Sequence, residues 1–134
     1  MSTESEWVDA LRFVITVLRS CLPDVHVGDH LPPADRLVLP AVRVDLLPGG
    51  EIHPWGGSGP VQDRVALDID VFAASRAQAT PVAQTVRQVL HSLPTIADSP
   101  VRVVDARPFS TRPDLNPNVR RLGADVDLVV DIFH

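Results

Sequence analysis

Two long segments in which apolar and polar side chains alternate constrain the fold of this chain more than any other feature. In residues 61–73 the odd-numbered positions are mostly aliphatic, and in residues 119–133 the even-numbered positions are. A period of two is the pattern of a strand that buries one face and leaves the other polar. Each segment is therefore predicted to be a long, half-buried strand.

Two further segments have helical spacing. Residues 4–21 place apolar side chains at steps of three and four, and Pro23 ends this predicted helix. A second predicted helix ends near Ser92, but its start is ambiguous. Either Ser75 or Thr80 can cap it, and Pro81 fits the first helical position after Thr80 better than an interior position after Ser75.

The remaining segments are short. Strands are predicted at residues 25–27, 37–47 and 101–106, and Pro40 suits a sheet edge or the start of its strand because it has no N–H to donate. Residues 48–60 and 107–118 are predicted to be proline-rich loops. The predicted fold class is α+β: a mainly antiparallel sheet of four to five strands with two helices on one face, in the order α-β-β-α-β-β. The pattern leaves open whether one extra short strand joins this sheet.

No repeat, low-complexity tract or linker divides the sequence, so residues 1–134 are predicted to form a single domain. The formal net charge is −5, and all 12 cationic residues are arginines. Because non-specific DNA affinity requires a basic patch, a DNA-gripping function is not expected. No apolar stretch approaches the ~20 residues of a membrane span, so no membrane partner is expected.

No catalytic motif is found, so no enzyme activity, catalytic residue, cofactor or metal is predicted. Cys21, the single cysteine, excludes an internal disulfide and a cysteine-based metal cluster. The Asp-X-Asp pairs of the two long strands have the chemistry of magnesium ligands, but strand alternation explains them and no lysine or histidine flanks them as a base.

Strand parity predicts an acidic sheet face. If the long strands bury their aliphatic residues against the helices, five carboxylates emerge together on the opposite face: Asp68, Asp70, Asp125, Asp127 and Asp131. Such a face is either a solvated surface or one that repels a polyanion such as DNA moving past it. Arg43, Arg64 and Arg121 partly intersperse these charges.

The two predicted loops suggest contact residues. Trp55 lies in a glycine-rich stretch, where a large aromatic side chain needs a pocket, on its own domain or on a neighbour. The second loop carries Arg107, Arg112, Asn116 and Arg120 among prolines. Arginines of this loop are suited to pair with carboxylates, which suggests self-association between this loop and the aspartate-rich face.

Several segments resemble a known protein family in their amino-acid sequence and in their order along the chain, over about residues 37 to 133. The segments are residues 39–45, 63–73, 75–77, 82–90, 107–108 and 116–121. In this respect the chain resembles the tail terminator, or tail completion, proteins of long-tailed, non-contractile bacteriophages.

The resemblance implies a structural virion protein assembled in the host cytoplasm. It implies a small α+β subunit that forms a ring, usually a hexamer, on the head-proximal end of the tail tube. Such a ring contacts the major tail tube protein and the head-tail connector or stopper, and DNA passes through its lumen without specific binding. The alternatives are another connector or adaptor ring protein of the head-tail junction and, in a different class, a small metal-dependent hydrolase using the aspartate pairs.

Overall fold

The computed structural model describes the backbone of residues 3–47 and 62–131 and the side chains of residues 10–47 and 63–131. The predicted contact residue Trp55 lies outside this described part. Within it, the elements in chain order are α1 (Thr3–Cys21), β1 (His26–Gly28), β2 (Ala41–Leu46), β3 (Gln62–Ala73), α2 (Arg76–Ser92), β4 (Val101–Ala106), β5 (Ser110–Asn116) and β6 (Val119–Asp131). The α+β class, with helices packed on a mostly antiparallel sheet, is confirmed.

The six strands form one sheet around the two long strands. The order is β1-β2-β3-β6, and the far edge of β6 is shared by β4 toward one end and β5 toward the other. Strands β3 and β6 pair over twelve positions, from Gln62 opposite Asp131 to Ala73 opposite Arg120. All pairings are antiparallel except that of β1 with β2. The long alternating segments therefore form the centre of the sheet.

The prediction that residues 107–118 form a loop is wrong for most of that segment. Residues 110–116 form β5, which pairs with β6 across an irregularity between Arg112 and Asn116. Pro113 lies inside the stretch where the register shifts. A proline cannot donate a ladder hydrogen bond but is tolerated on an edge strand or at a bulge, so proline content did not exclude a strand here.

The hydrophobic core lies between the sheet and both helices. Val65, Leu67, Ile69 and Val71 of β3 are at most 3% exposed and pack in one cluster with buried residues of α1 and α2. The predicted strand at 37–47 starts only at Ala41, directly after Pro40, and Val38 is 72% exposed rather than part of the core. Neither helix of the described part has the length and apolar run needed to cross a membrane.

Ser75 caps α2, which begins at Arg76. Of the two caps that the sequence left open, Ser75 and Thr80, the structure therefore has Ser75. The Ser75 hydroxyl accepts a hydrogen bond from the Gln78 backbone N–H at 3.1 Å, and the Gln78 side chain accepts one from the Ala74 N–H at 2.8 Å. The first bond satisfies an N–H group that the first turn of a helix leaves unpaired, and the second ties the residue before the cap to the same turn. Pro81 lies inside the helix.

Replacing Ser75 with alanine is expected to lower the free energy of unfolding by about 1 kcal/mol, the usual cost of removing such a cap. Thr80→Ala is the control, because the Thr80 hydroxyl only donates to the Arg76 carbonyl within the helix. Urea denaturation of both variants measures the difference. An equal loss in both would mean that Ser75 does not determine where α2 begins.

Candidate functional site: the charged sheet face

The face of the sheet turned away from the helices carries a network of aspartates and arginines, called here the charged face. Its members are Arg43 and Asp45 of β2, Asp68 and Asp70 of β3, Arg112 of β5, Arg121, Asp125 and Asp127 of β6, and Arg107 before β5. Residues directly opposite one another in paired strands share a face. The register therefore aligns Asp45, Asp68 and Asp125 in one cross-strand row.

Asp70 is the centre of this network. Its side chain is 1% exposed, and three arginines from three different strands donate to it. The distances are 2.7 Å from Arg43 Nη2, 3.0 Å from Arg112 Nη1, and 2.9 and 3.0 Å from Arg121 Nε and Nη2. Charged hydrogen bonds of this kind are roughly twice as strong as neutral ones. Asp70 thereby links β2, β5 and β6 through one buried carboxylate.

The surroundings of Asp70 act on its pKa in opposite directions. Burial raises the pKa because the charged form loses its hydration, but the hydrogen bonds from Arg121 and Arg43, together with the charges of Arg121 and Arg112, outweigh this effect. The net pKa of Asp70 lies below its ordinary value of 3.8. The buried carboxylate is therefore ionised and held by its cationic partners.

Arg112 crosses the sheet from its edge strand to reach the centre. It donates to Asp68 at 2.6 Å, to Asp70 at 3.0 Å and to Asp125 at 3.3 Å. Its path passes over Gly123, where an added Cβ would lie 2.2 to 2.4 Å from three atoms of the Arg112 side chain. Gly123 therefore makes room for the arginine, as glycine in a strand does where another group approaches closely.

In the row formed by Asp45, Asp68 and Asp125, the pKa of Asp68 is shifted in the opposite direction from that of Asp70. Desolvation raises the pKa of Asp68, the Arg112 hydrogen bond lowers it, and the carboxylates of Asp70 and Asp125 raise it again. The net pKa of Asp68 is above its ordinary value of 3.8. Arg43 Nε lies 3.2 Å from Asp45 at the end of this row. The row is thus compensated by arginines but remains under like-charge repulsion.

The outer part of the charged face is looser. Arg107 lies 3.9 Å from both Asp125 and Asp127 and is largely exposed. Asp131 is placed on the same face by the strand register, and Arg102 donates to its carboxylate. Arg102 and Arg107 thus pair with aspartates of this face within a single chain, as Arg43, Arg112 and Arg121 do.

The predicted contact residues fall into two places. Arg107 and Arg112 belong to the charged face, whereas Asn116 and Arg120 lie at the turn between β5 and β6. There the Asn116 side chain accepts from the Asn118 N–H at 2.8 Å, and Arg120 donates to Asp114 at 2.7 Å. The pairing of loop arginines with sheet aspartates that the sequence suggested between copies is therefore present within one chain.

Sequence reasoning missed that Arg43, Arg121 and Gly123 belong to one site with Arg112. The two arginines were noted only as interspersed cations on the strand face. The available signal was Gly123, a glycine inside an otherwise alternating strand, which marks close approach of another group. Phe72 adds a further contact, since the guanidinium carbons of Arg43 and Arg121 lie 5.3 and 5.9 Å from its ring centroid.

The chemistry of the charged face is that of a rigid, paired surface. Asp68 and Asp70 are engaged by Arg112, and the described residues contain no group of three histidine, cysteine or acidic side chains that could hold a metal ion. The hydrolase alternative thus gains no geometric support from the described part. What the face offers a neighbour is a fixed pattern of paired arginines and carboxylates around the buried Asp70.

The fold is similar to that of two solved structures, one from a gene transfer agent virion and one from a bacteriophage. A chain in the virion of a native gene transfer agent particle superposes with a TM-score of 0.55 at 18% identity, covering 93% of this chain and 91% of that one. The gp17 protein of bacteriophage SPP1 superposes with a TM-score of 0.54 at 14% identity, covering 95% and 92%. Neither family models nor curated proteins match the sequence. At these identities the similarity shows a shared fold.

Proposed function

We propose that this protein is a structural component of a phage-type virion that assembles as a hexameric ring on the head-proximal end of the tail tube. In this role it ends tube growth and joins the tail to the head connector. Its partners are further copies of itself, the major tail tube protein and the connector or stopper protein.

The observation that carries the proposal is the fold similarity, over more than nine-tenths of both chains, to a chain of the gene transfer agent virion. The resemblance of residues 37–133 to tail terminator proteins supports it from the sequence. The first line rests on the backbone fold and the second on the amino-acid sequence of these segments.

The charged face supports the proposal through its electrostatics. Arg107, Arg112 and Arg121 pair with aspartates of this face, so they offer DNA no free basic patch. Asp125 and Asp127 are about half and two-fifths exposed, and the buried Asp70 holds the surface together. We therefore assign the lumen to the charged face, with Asp68, Asp125, Asp127 and Asp131 as its acidic surface. Trp55, Asn116 and Arg120 are assigned to contacts between subunits or with neighbouring proteins.

Deletion of the gene in its phage tests the proposal, with electron microscopy of the lysate as the readout. We expect full heads beside unjoined tails that are overlong or irregular, and normal particles when the gene is supplied from a plasmid. Unjoined tails of normal length would indicate an adaptor of the junction instead. Normal joined particles without the gene would rule out both roles.

A further inference from the structure

A groove on the helix side of the molecule differs in chemistry from the charged face. It has a volume of about 390 Å³ and lies between one side of α2 and the start of β5. Its lining residues include Arg76 and Arg87 of α2 and the apolar Ala83, Phe109 and Leu122. None of them is acidic, although the chain as a whole carries a formal net charge of −5.

The two arginines of the groove lack the carboxylate partners that the arginines of the charged face have. Arg87 Nε donates to the Ala106 carbonyl at 3.3 Å, which anchors this guanidinium at the wall. In the described part of the chain, no aspartate or glutamate forms an ion pair with Arg76 or Arg87. Two guanidinium groups are therefore left to pair with an anionic partner.

The distance between Arg76 and Arg87 indicates how far apart the negative charges of a partner should lie. Positions 76 and 87 differ by eleven residues, so they lie on the same face of α2, about 16 Å apart along its axis. Between them the floor is apolar, formed by Ala83, Phe109 and Leu122, of which Phe109 and Leu122 are partly exposed. An extended polypeptide advances roughly 3.3 Å per residue, so two of its carboxylates about five residues apart match the two arginines.

We propose that this groove binds an extended acidic segment of a partner protein, with carboxylates on Arg76 and Arg87 and an apolar side chain between them on Phe109 and Leu122. Charge complementarity carries the choice of partner. A nucleic acid fits less well, because two arginines in an acidic protein give a weak basic patch and the apolar floor contributes nothing to phosphate binding. This surface is independent of the proposed role at the tail.

Selection from a displayed library of random 12-residue peptides tests the proposal, using the full chain as target. We expect enriched peptides to carry two acidic residues four to six positions apart with an apolar residue between them. Synthetic copies of these peptides then bind in fluorescence anisotropy, and the double variant Arg76→Gln, Arg87→Gln weakens binding at least tenfold. The double variant Arg12→Gln, Arg36→Gln, which removes two exposed arginines elsewhere, is the matched control and leaves binding unchanged.

Four outcomes would overturn the proposal. The enriched peptides could lack the acidic pair, or bind the wild type and the double variant equally. A labelled single-stranded oligonucleotide could bind through Arg76 and Arg87 while acidic peptides do not, which would assign the groove to nucleic acid. The double variant could instead abolish self-association in sedimentation velocity with no effect on peptide binding, which would assign it to a second copy of the chain.

Discussion

Replacing Asp70 with asparagine is expected to lower the free energy of unfolding by about 3–5 kcal/mol, the usual cost of breaking a buried ion pair by removing one partner. The side chain is 1% exposed and accepts hydrogen bonds from Arg43, Arg112 and Arg121. Asparagine keeps the volume but removes the negative charge, which leaves three positive charges crowded around a neutral amide. Urea denaturation followed by circular dichroism measures the loss.

Asp68→Asn is the matched control, since it makes the same chemical change one step along the same face. The raised pKa of Asp68 means that its surroundings disfavour the charged form. Removing that charge relieves repulsion from Asp70 and Asp125 while it weakens the bond to Arg112. We therefore expect a change of less than about 1 kcal/mol. Equal losses in the two variants would contradict the central role assigned to Asp70.

The same carboxylate predicts a pH dependence. Because the folded-state pKa of Asp70 lies below 3.8, the unfolded chain takes up this proton first as the pH falls. The stability that Asp70 contributes is therefore complete at neutral pH and is lost as the pH falls from about 3.8 through the folded-state pKa. The Asp70→Asn variant lacks this contribution, so its unfolding free energy should fall less steeply than that of the wild type below pH 4. Parallel curves would refute the assignment.

Much of the fold could be predicted because strand alternation is a local signal. The parity of residues 61–73 and 119–133 already separates the core side, with Leu67 and Ile69, from the polar side, with Asp68 and Asp70. Alternation does not identify β5, because its mostly exposed residues do not alternate between buried and exposed positions and its proline is typical of a loop. An edge strand that buries little has no hydrophobic alternation to recognise, so only its pairing with β6 reveals it.

The candidate site was less predictable, because its defining contacts join residues far apart in the sequence. Arg112 and Asp70 are 42 positions apart in the sequence. No local pattern indicates that the Arg112 side chain crosses β6 to reach Asp70 on β3. The sequence does predict that the aspartates share a face, but not that arginines from β2, β5 and β6 meet at one of them. Strand order, which periodicity does not encode, decides which charges become neighbours.

Replacing Gly123 with alanine is the second large effect that we expect, with a loss of about 1.5–3 kcal/mol, the range for hydrogen bonds to charged groups. The new methyl group would lie 2.2 to 2.4 Å from Nε, Cδ and Cζ of Arg112, so the side chain must move away. In moving, it gives up its bonds to Asp68, Asp70 and Asp125. Thermal and urea unfolding of the variant measure the loss.

A double-mutant cycle with Arg112→Ala separates this mechanism from a general intolerance of side chains at position 123. Once the arginine is absent there is nothing for the methyl group to displace, and glycine in a strand is itself less stable than alanine by roughly 0.5–1 kcal/mol. Gly123→Ala is therefore expected to be neutral or stabilising in the Arg112→Ala background, with a coupling energy of at least about 1 kcal/mol. An equal loss in both backgrounds would show that Gly123 is required by the strand itself and that Arg112 does not depend on it.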